Sequence, residues 1–240
     1  MITFLTSSPT VENCPQFNEA NGFLRRLAQH WPSSCARCLL IAAHPDDHRG
    51  NDAMTEYYRD AILAAGLPFA GLDLWDRRYY DFDRARLASY DVIILSCGHV
   101  PTQKKWFEAI DLKTRLTDFD GILLGISAGA MISARTVYAW PELEGETLDP
   151  GYPLFFRGLG YAETMILPHY QSVKDRWLDG KRLIEDVAYG DSRGRCFYAL
   201  PDGSYVIAEN GHETVYGEAY RIADGIFAPY CAGGQSRNIL

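Results

Sequence analysis

Residues 122–131 read Ile-Leu-Leu-Gly-Ile-Ser-Ala-Gly-Ala-Met, so Gly125, Ser127 and Gly129 form G-x-S-x-G directly behind an apolar run. Residues 122–126 have the continuous apolar character of a strand covered on both faces. From residue 129 to 135 the pattern reads as the opening of a helix. A serine held between strand and helix at this spacing sits on a sharp, strained turn, and its neighbours two before and two after must be small. Gly125 and Gly129 meet that demand. The turn lifts the Ser127 hydroxyl above the carboxyl ends of the strands. It also aims the Ala128 N–H at the place where an oxyanion would form, backed by the positive end of the helix. The bland alternative is a glycine-rich turn with an incidental serine; the correct context on both sides favours the nucleophile elbow.

Working outward, apolar runs at residues 2–5, 38–43, 69–74 and 92–96 read as strands. Between them, 16–29, 52–65 (ended by Gly66) and 102–110 read as helices, with a second short helix before residue 122. Strand–helix alternation over the first 135 residues predicts an α/β fold, a mostly parallel sheet with helices on both faces. The later part differs. Residues 141–153 (PELEGETLDPGYP) are an acidic loop, 165–168 a short strand and 173–188 a helix. Residues 196–227 hold short β-runs punctuated by Asp202-Gly203, Asn210-Gly211 and Asp224-Gly225, which are hairpin-turn signals. No repeat or long linker divides the chain, so one domain is expected over residues 1–240.

The 47% hydrophobic and 22% charged composition is that of a globular chain, not of a disordered or coiled-coil one. A net charge of −8, from 31 acidic and 23 basic residues, argues against a nucleic-acid binder, which needs a basic stripe, and against an anionic membrane surface. No apolar run approaches the ~18–20 residues that span a bilayer. The opening MITFLTSSPT lacks the basic stretch and apolar core of a secretory signal, so a cytoplasmic location is expected. Of six cysteines, Cys35 and Cys38 form a C-x-x-C, but no second ligand pair completes a zinc site. Reduced thiols, no metal and no cofactor are expected.

A serine nucleophile needs a base, usually histidine. Among His30, His44, His48, His99, His169 and His212, His169 stands out because it directly follows the apolar run ending in Leu167-Pro168. Strand ends are where α/β sites form. The orienting acid is expected between Ser127 and His169, where Glu142, Glu144, Glu146 and Asp149 share one loop. Most of that cluster must simply be solvated. A second oxyanion N–H is expected from Gly98, behind the strand at 92–96. Residues 43–48, Ala-His-Pro-Asp-Asp-His, resemble the opening of zinc-dependent N-acetylglucosaminyl deacetylases. His48 replaces the Glu of that motif and no H-x-x-H follows, so a strand-end loop with Asp52 capping the next helix is the plainer reading.

With these pieces assembled, the chain resembles the dipeptidase E (aspartyl dipeptidase) group of serine peptidases. That group includes cyanophycinase and has a fold related to class I glutamine amidotransferases. The resemblance rests on GISAGAM (125–131), SCGHVPT (96–102), LPHY (167–170) and the tail segments ALPDGSYVIAENG (199–211) and YGEAYRI (216–222), and runs over nearly the whole chain. It implies Ser127 as nucleophile, His169 as base, and Gly98 and Ala128 as oxyanion donors. It also implies a carboxylate from the intervening loop, with Asp149 the best match and Glu146 its rival. The implied substrate is a short peptide or small amide, with no nucleic acid or membrane partner; a homodimer stays open. The group's preference for an N-terminal Asp implies a basic contact, which Lys174 or Arg176 could offer, although surface charge is their blander role. Two departures are Cys97, where the group commonly has Gly, and a longer acidic loop between Ser127 and His169. Alternatives remain: an α/β-hydrolase-type esterase or amidase using His212, or an inactive ligand-binding relative. A glutamine amidotransferase would need Cys at position 127.

Overall fold

A computed structural model describes residues 1–79 and 81–240. Five strands, β1 (Ile2–Thr6), β2 (Ala36–Ile41), β3 (Phe69–Trp75), β4 (Val92–Leu95) and β5 (Ile122–Ile126), run parallel in the order β1-β5-β4-β2-β3. Their apolar runs alternate between two cores. Phe4, Leu40, Ile94 and Leu124 face one side, against Phe23 and Leu27 of α1 (Phe23–His30) and Tyr58, Ala61 and Ile62 of α2 (His48–Ala64). Leu5, Leu39, Ile93 and Leu123 face the other. There they meet α3 (Arg84–Ala88), α4 (Val100–Ala109), α5 (Leu112–Arg115) and α6 (Ala128–Ser133). Helices therefore cover both faces of the parallel part, as the alternation predicts.

Local chemistry fixes the boundaries. The first helix starts only at Phe23, because Asn21 (φ 54°) and Gly22 (φ 71°) are left-handed and interrupt the apolar period that begins at residue 16. Asp47, not Asp52, caps α2: its carboxylate accepts the Gly50 N–H at 3.0 Å. Asp46 pairs with Arg77, and His44 Nε2 accepts the His99 N–H at 3.2 Å. The Ala-His-Pro-Asp-Asp-His segment is thus a capping loop. Among the described residues no three His, Cys, Asp or Glu side chains gather as metal ligands. Cys38 is buried in β2 while Cys35 is exposed, and all six cysteines are free.

Beyond α6 the chain forms β6 (Thr136–Tyr138) and β7 (Phe155–Arg157), paired antiparallel, then β8 (Met165–Leu167) and α7 (Tyr170–Val173). Where a helix is expected over 173–188, the chain instead makes a hairpin of β9 (Trp177–Leu178) and β10 (Lys181–Arg182). Its turn is Asp179-Gly180 with φ of 51° and 78°, the double left-handed conformation of a two-residue hairpin. A single wide helical turn over Leu183–Ala188 follows. The tail holds β11 (Cys196–Ala199), β12 (Tyr205–Glu209), β13 (His212–Tyr216), β14 (Ala219–Ala223), β15 (Ile226–Cys231) and β16 (Ser236–Asn238).

The tail strands split between two sheets. β12, β13 and β16 extend the main sheet antiparallel beyond β1, giving eight strands. The order of the second sheet is β15-β14-β11-β8, with β8 and β11 parallel. Asn210-Gly211 and Asp224-Gly225 are hairpin turns as expected, each with two positive φ values. Asp202-Gly203 is not: only Gly203 has positive φ, and the segment carries the chain from β11 in one sheet to β12 in the other. The second sheet closes the core on the α3–α6 side, where Tyr138 stacks on Phe197 at 4.2 Å. Among the described residues no helix is long and apolar enough to cross a membrane.

Candidate active site

The elbow has the backbone that its sequence demands. Ser127 stands at φ 51°, ψ −110°, a left-handed conformation that a non-glycine residue holds only when its surroundings impose it. Its N–H is tied to the Thr6 carbonyl at 2.9 Å, and its own carbonyl accepts the Ala130 and Met131 N–H groups. A Cβ on Gly125 would lie 2.6 Å from Ala130 Cα, and one on Gly129 only 2.1 Å from the Leu95 carbonyl oxygen. Glycine at both positions lets α6 dock directly on the ends of β4 and β5.

His169 reaches this serine from the second sheet. It follows β8, is left-handed (φ 58°, ψ 35°), and donates its backbone N–H to Ser7 Oγ at 2.7 Å. Its Nε2 lies 2.9 Å from Ser127 Oγ, and its Nδ1 lies 2.8 Å from an oxygen of Asp202. A carboxylate at Nδ1 fixes the proton on that nitrogen and leaves Nε2 to accept from the hydroxyl. The parallel register explains the meeting: Leu167 of β8 pairs with Ala199 of β11, so the turns behind the two strands lie side by side.

The carboxylate that meets His169 is therefore Asp202, not the expected Asp149 or Glu146. Asp149 is exposed and accepts the Gly151 N–H, a turn bond within its own loop. Glu146 receives His99 Nε2 at 2.8 Å and the N–H groups of Glu142 and Leu143, so it fastens the acidic loop to the start of α4. Asp202 sits instead in a dense set of donors. Ser7 Oγ donates to one oxygen at 2.7 Å and Gln171 Nε2 to the other at 2.6 Å, while the Asp202 N–H returns a bond to Gln171 Oε1. Burial pushes this carboxyl up, but the hydrogen bonds from His169, Ser7 and Gln171 outweigh it and hold its pKa below the ordinary Asp value. Ser7 and Gln171 are also invisible to sequence reasoning. The signal for Asp202 was its Asp-Gly pair, which matches a hairpin turn equally well.

The two expected oxyanion donors stand at adjacent strand ends. Leu95 of β4 pairs with Gly125 of β5, so the turn carrying Gly98 lies beside the elbow carrying Ala128. Among the described residues neither amide N–H has a protein acceptor. A Cβ on Gly98 would come within 2.5 Å of Ala43 Cβ, so only glycine fits beneath the His44 ring. The basic candidates do not converge on the site: Arg176 donates to the Glu142 carbonyl at 2.6 Å, and Lys174 is exposed beyond α7. His212 is exposed at the Asn210-Gly211 turn, and it is His169 whose ring meets Ser127 Oγ.

A cleft of about 370 Å³ opens beside His169. One wall is a face of α2, with Gly50, Ala53, Met54 and Tyr57. Ile126, Cys97, Ser7 and His169 also line it. Burial pushes the Cys97 thiol up, so it stays neutral.

No family model and no curated protein matches the sequence. Solved structures do match over nearly the full length. A crystal structure of a peptidase from an acI-B1 actinobacterium superimposes with a TM-score of 0.62 at 16% identity, covering 99% of this chain and 96% of that one. A protein of Listeria monocytogenes EGD-e, provisionally named Peptidase E, gives a TM-score of 0.53 at 14% identity, over 95% and 97% of the two chains. At such identities the likeness is one of fold: this chain has the α/β architecture of proteins named as peptidases.

Proposed function

We propose that the protein is a serine-type hydrolase, a peptidase acting on short peptides through an acyl-enzyme. The observation that carries this reading is the unbroken chain from Ser127 Oγ to His169 to Asp202, with contacts of 2.9 and 2.8 Å, built on an elbow with positive φ. Ser127 Oγ attacks the scissile carbonyl carbon while His169 Nε2 takes its proton. Asp202 stabilises the imidazolium, and the N–H groups of Ala128 and Gly98 receive the charge that develops on the carbonyl oxygen. His169 then passes the proton to the leaving amine. Water, deprotonated by the same nitrogen, releases the acyl group and restores Ser127. The resemblance to the dipeptidase E group and the fold of the peptidase-named structures both support a peptide as substrate.

The test is covalent. Incubation with a fluorophosphonate should add one phosphonyl group, located by mass spectrometry at Ser127, and the Ser127→Ala variant should take up none. An intact native protein that stays unlabelled would overturn the proposal.

A further inference from the structure

The cleft beside His169 deepens the serine-peptidase reading and rests on it. Its α2 wall is built from residues spaced i, i+3, i+4 and i+7, so Gly50, Ala53, Met54 and Tyr57 form one continuous helix face. That face is free of charge. The Tyr57 hydroxyl is turned to Thr10 Oγ1 and the Cys14 carbonyl, which occupies its polar end. The lining also includes Ile126, one residue before the nucleophile, and Cys97, one before the Gly98 amide. An acidic side chain placed here would lose its hydration, and among the described residues no Lys or Arg lines the cleft to compensate. The Gly50 N–H at the rim is already taken by the Asp47 carboxylate, whose negative charge further opposes an anion.

We propose that this cleft binds an uncharged aliphatic or aromatic side chain next to the scissile bond, so that the enzyme selects leucine- or phenylalanine-like residues over aspartate. A cleft of about 370 Å³ accommodates such a side chain. Burying one should accelerate reaction at Ser127 by about 10- to 100-fold over a carboxylate of similar length.

The experiment compares fluorophosphonates carrying methyl, isobutyl, benzyl or carboxyethyl arms, each rate corrected for the reagent's own hydrolysis. Isobutyl and benzyl reagents should modify Ser127 at least about tenfold faster than the carboxyethyl reagent. Met54→Arg, placing a cation on the half-buried wall, should shrink or reverse that ratio; Ala53→Phe, at an exposed position, should slow the benzyl reagent most. Thermal unfolding confirms that each variant is folded. Equal rates, or a faster carboxyethyl reagent, would overturn the specificity while leaving Ser127 the nucleophile. Failure of every reagent, methyl included, to modify Ser127 would overturn the catalytic reading and this inference with it.

Discussion

Replacing Asp202 by Asn changes one atom and should remove most of the activity. In the native site one Asp202 oxygen accepts from His169 Nδ1 at 2.8 Å and Ser7 Oγ at 2.7 Å, and the other accepts from Gln171 Nε2 at 2.6 Å. An amide cannot serve all three donors. With its oxygen toward His169, its NH2 meets the Gln171 NH2. Flipped, its NH2 meets Nδ1 and selects the tautomer whose Nε2 carries a proton and cannot accept from Ser127. Leaving a donor unpaired costs about 1–3 kcal/mol. The lost charge matters as well. An imidazolium and a carboxylate about 4 Å apart at an effective dielectric constant near 20 attract by about 4 kcal/mol. Both side chains are more than a third exposed, 37% and 36%, so solvent screening reduces this to about 2 kcal/mol. Together, about 3–5 kcal/mol of transition-state stabilisation disappears, a fall of about 10²–10⁴ at 1.36 kcal/mol per decade. The assay is the second-order rate of Ser127 phosphonylation, measured on variants whose thermal unfolding matches the native protein. Asp149→Asn, an exposed residue bonded only within its own turn, should stay within about twofold of native, as expected of a surface change. An Asp202→Asn enzyme that keeps more than about a tenth of the native rate, or an Asp149→Asn enzyme that loses as much, would refute the assignment.

Ser7→Ala removes the acceptor of the His169 N–H and one donor to Asp202; it should slow phosphonylation about tenfold with KM-type saturation little changed, and an unaltered rate would count against its positioning role. Gly129→Ala would press a methyl to 2.1 Å from the Leu95 carbonyl, so it should destabilise by about 2 kcal/mol and lower the melting temperature by about 4–8 °C in calorimetry. A native melting temperature would show that α6 does not dock as described. Asp76 is fully buried; burial pushes its carboxyl up, but bonds from Arg78 and Asn51 hold it below the ordinary value. A carboxyl with a lowered folded-state pKa contributes stability above the unfolded value of ~3.9 and loses it as pH falls further. Asp76→Asn should therefore cost about 3 kcal/mol at pH 7 by urea unfolding, with the gap from native narrowing at pH 3, and a gap that widens in acid would contradict the ion pair with Arg78.

The sequence by itself determined the parallel half of the molecule and pointed to Ser127 and His169, which the fold brings into contact. Apolar runs such as 92–96 and 122–126, short and alternating with helical stretches, read as strands buried on both faces, and buried strands alternating with helices leave few arrangements. The elbow is equally local: Gly125 and Gly129 are required by contacts within a few residues of Ser127 and with the neighbouring strand. His169 is legible because it follows its strand directly. Short signals failed where one local rule serves two outcomes. The apolar period of 173–188 suits a helix, yet Asp179-Gly180 takes the double left-handed turn of a hairpin. Asp202-Gly203 looks like such a turn and is instead a crossing between sheets. Only the tertiary structure chose the carboxylate that meets His169. Asp149 and Glu146 lie nearer to His169 in the chain, but their carboxylates are consumed by turn amides and by His99. Asp202 lies 33 residues beyond His169 and reaches it because β8 and β11 pair in parallel, a long-range register that no window of sequence encodes.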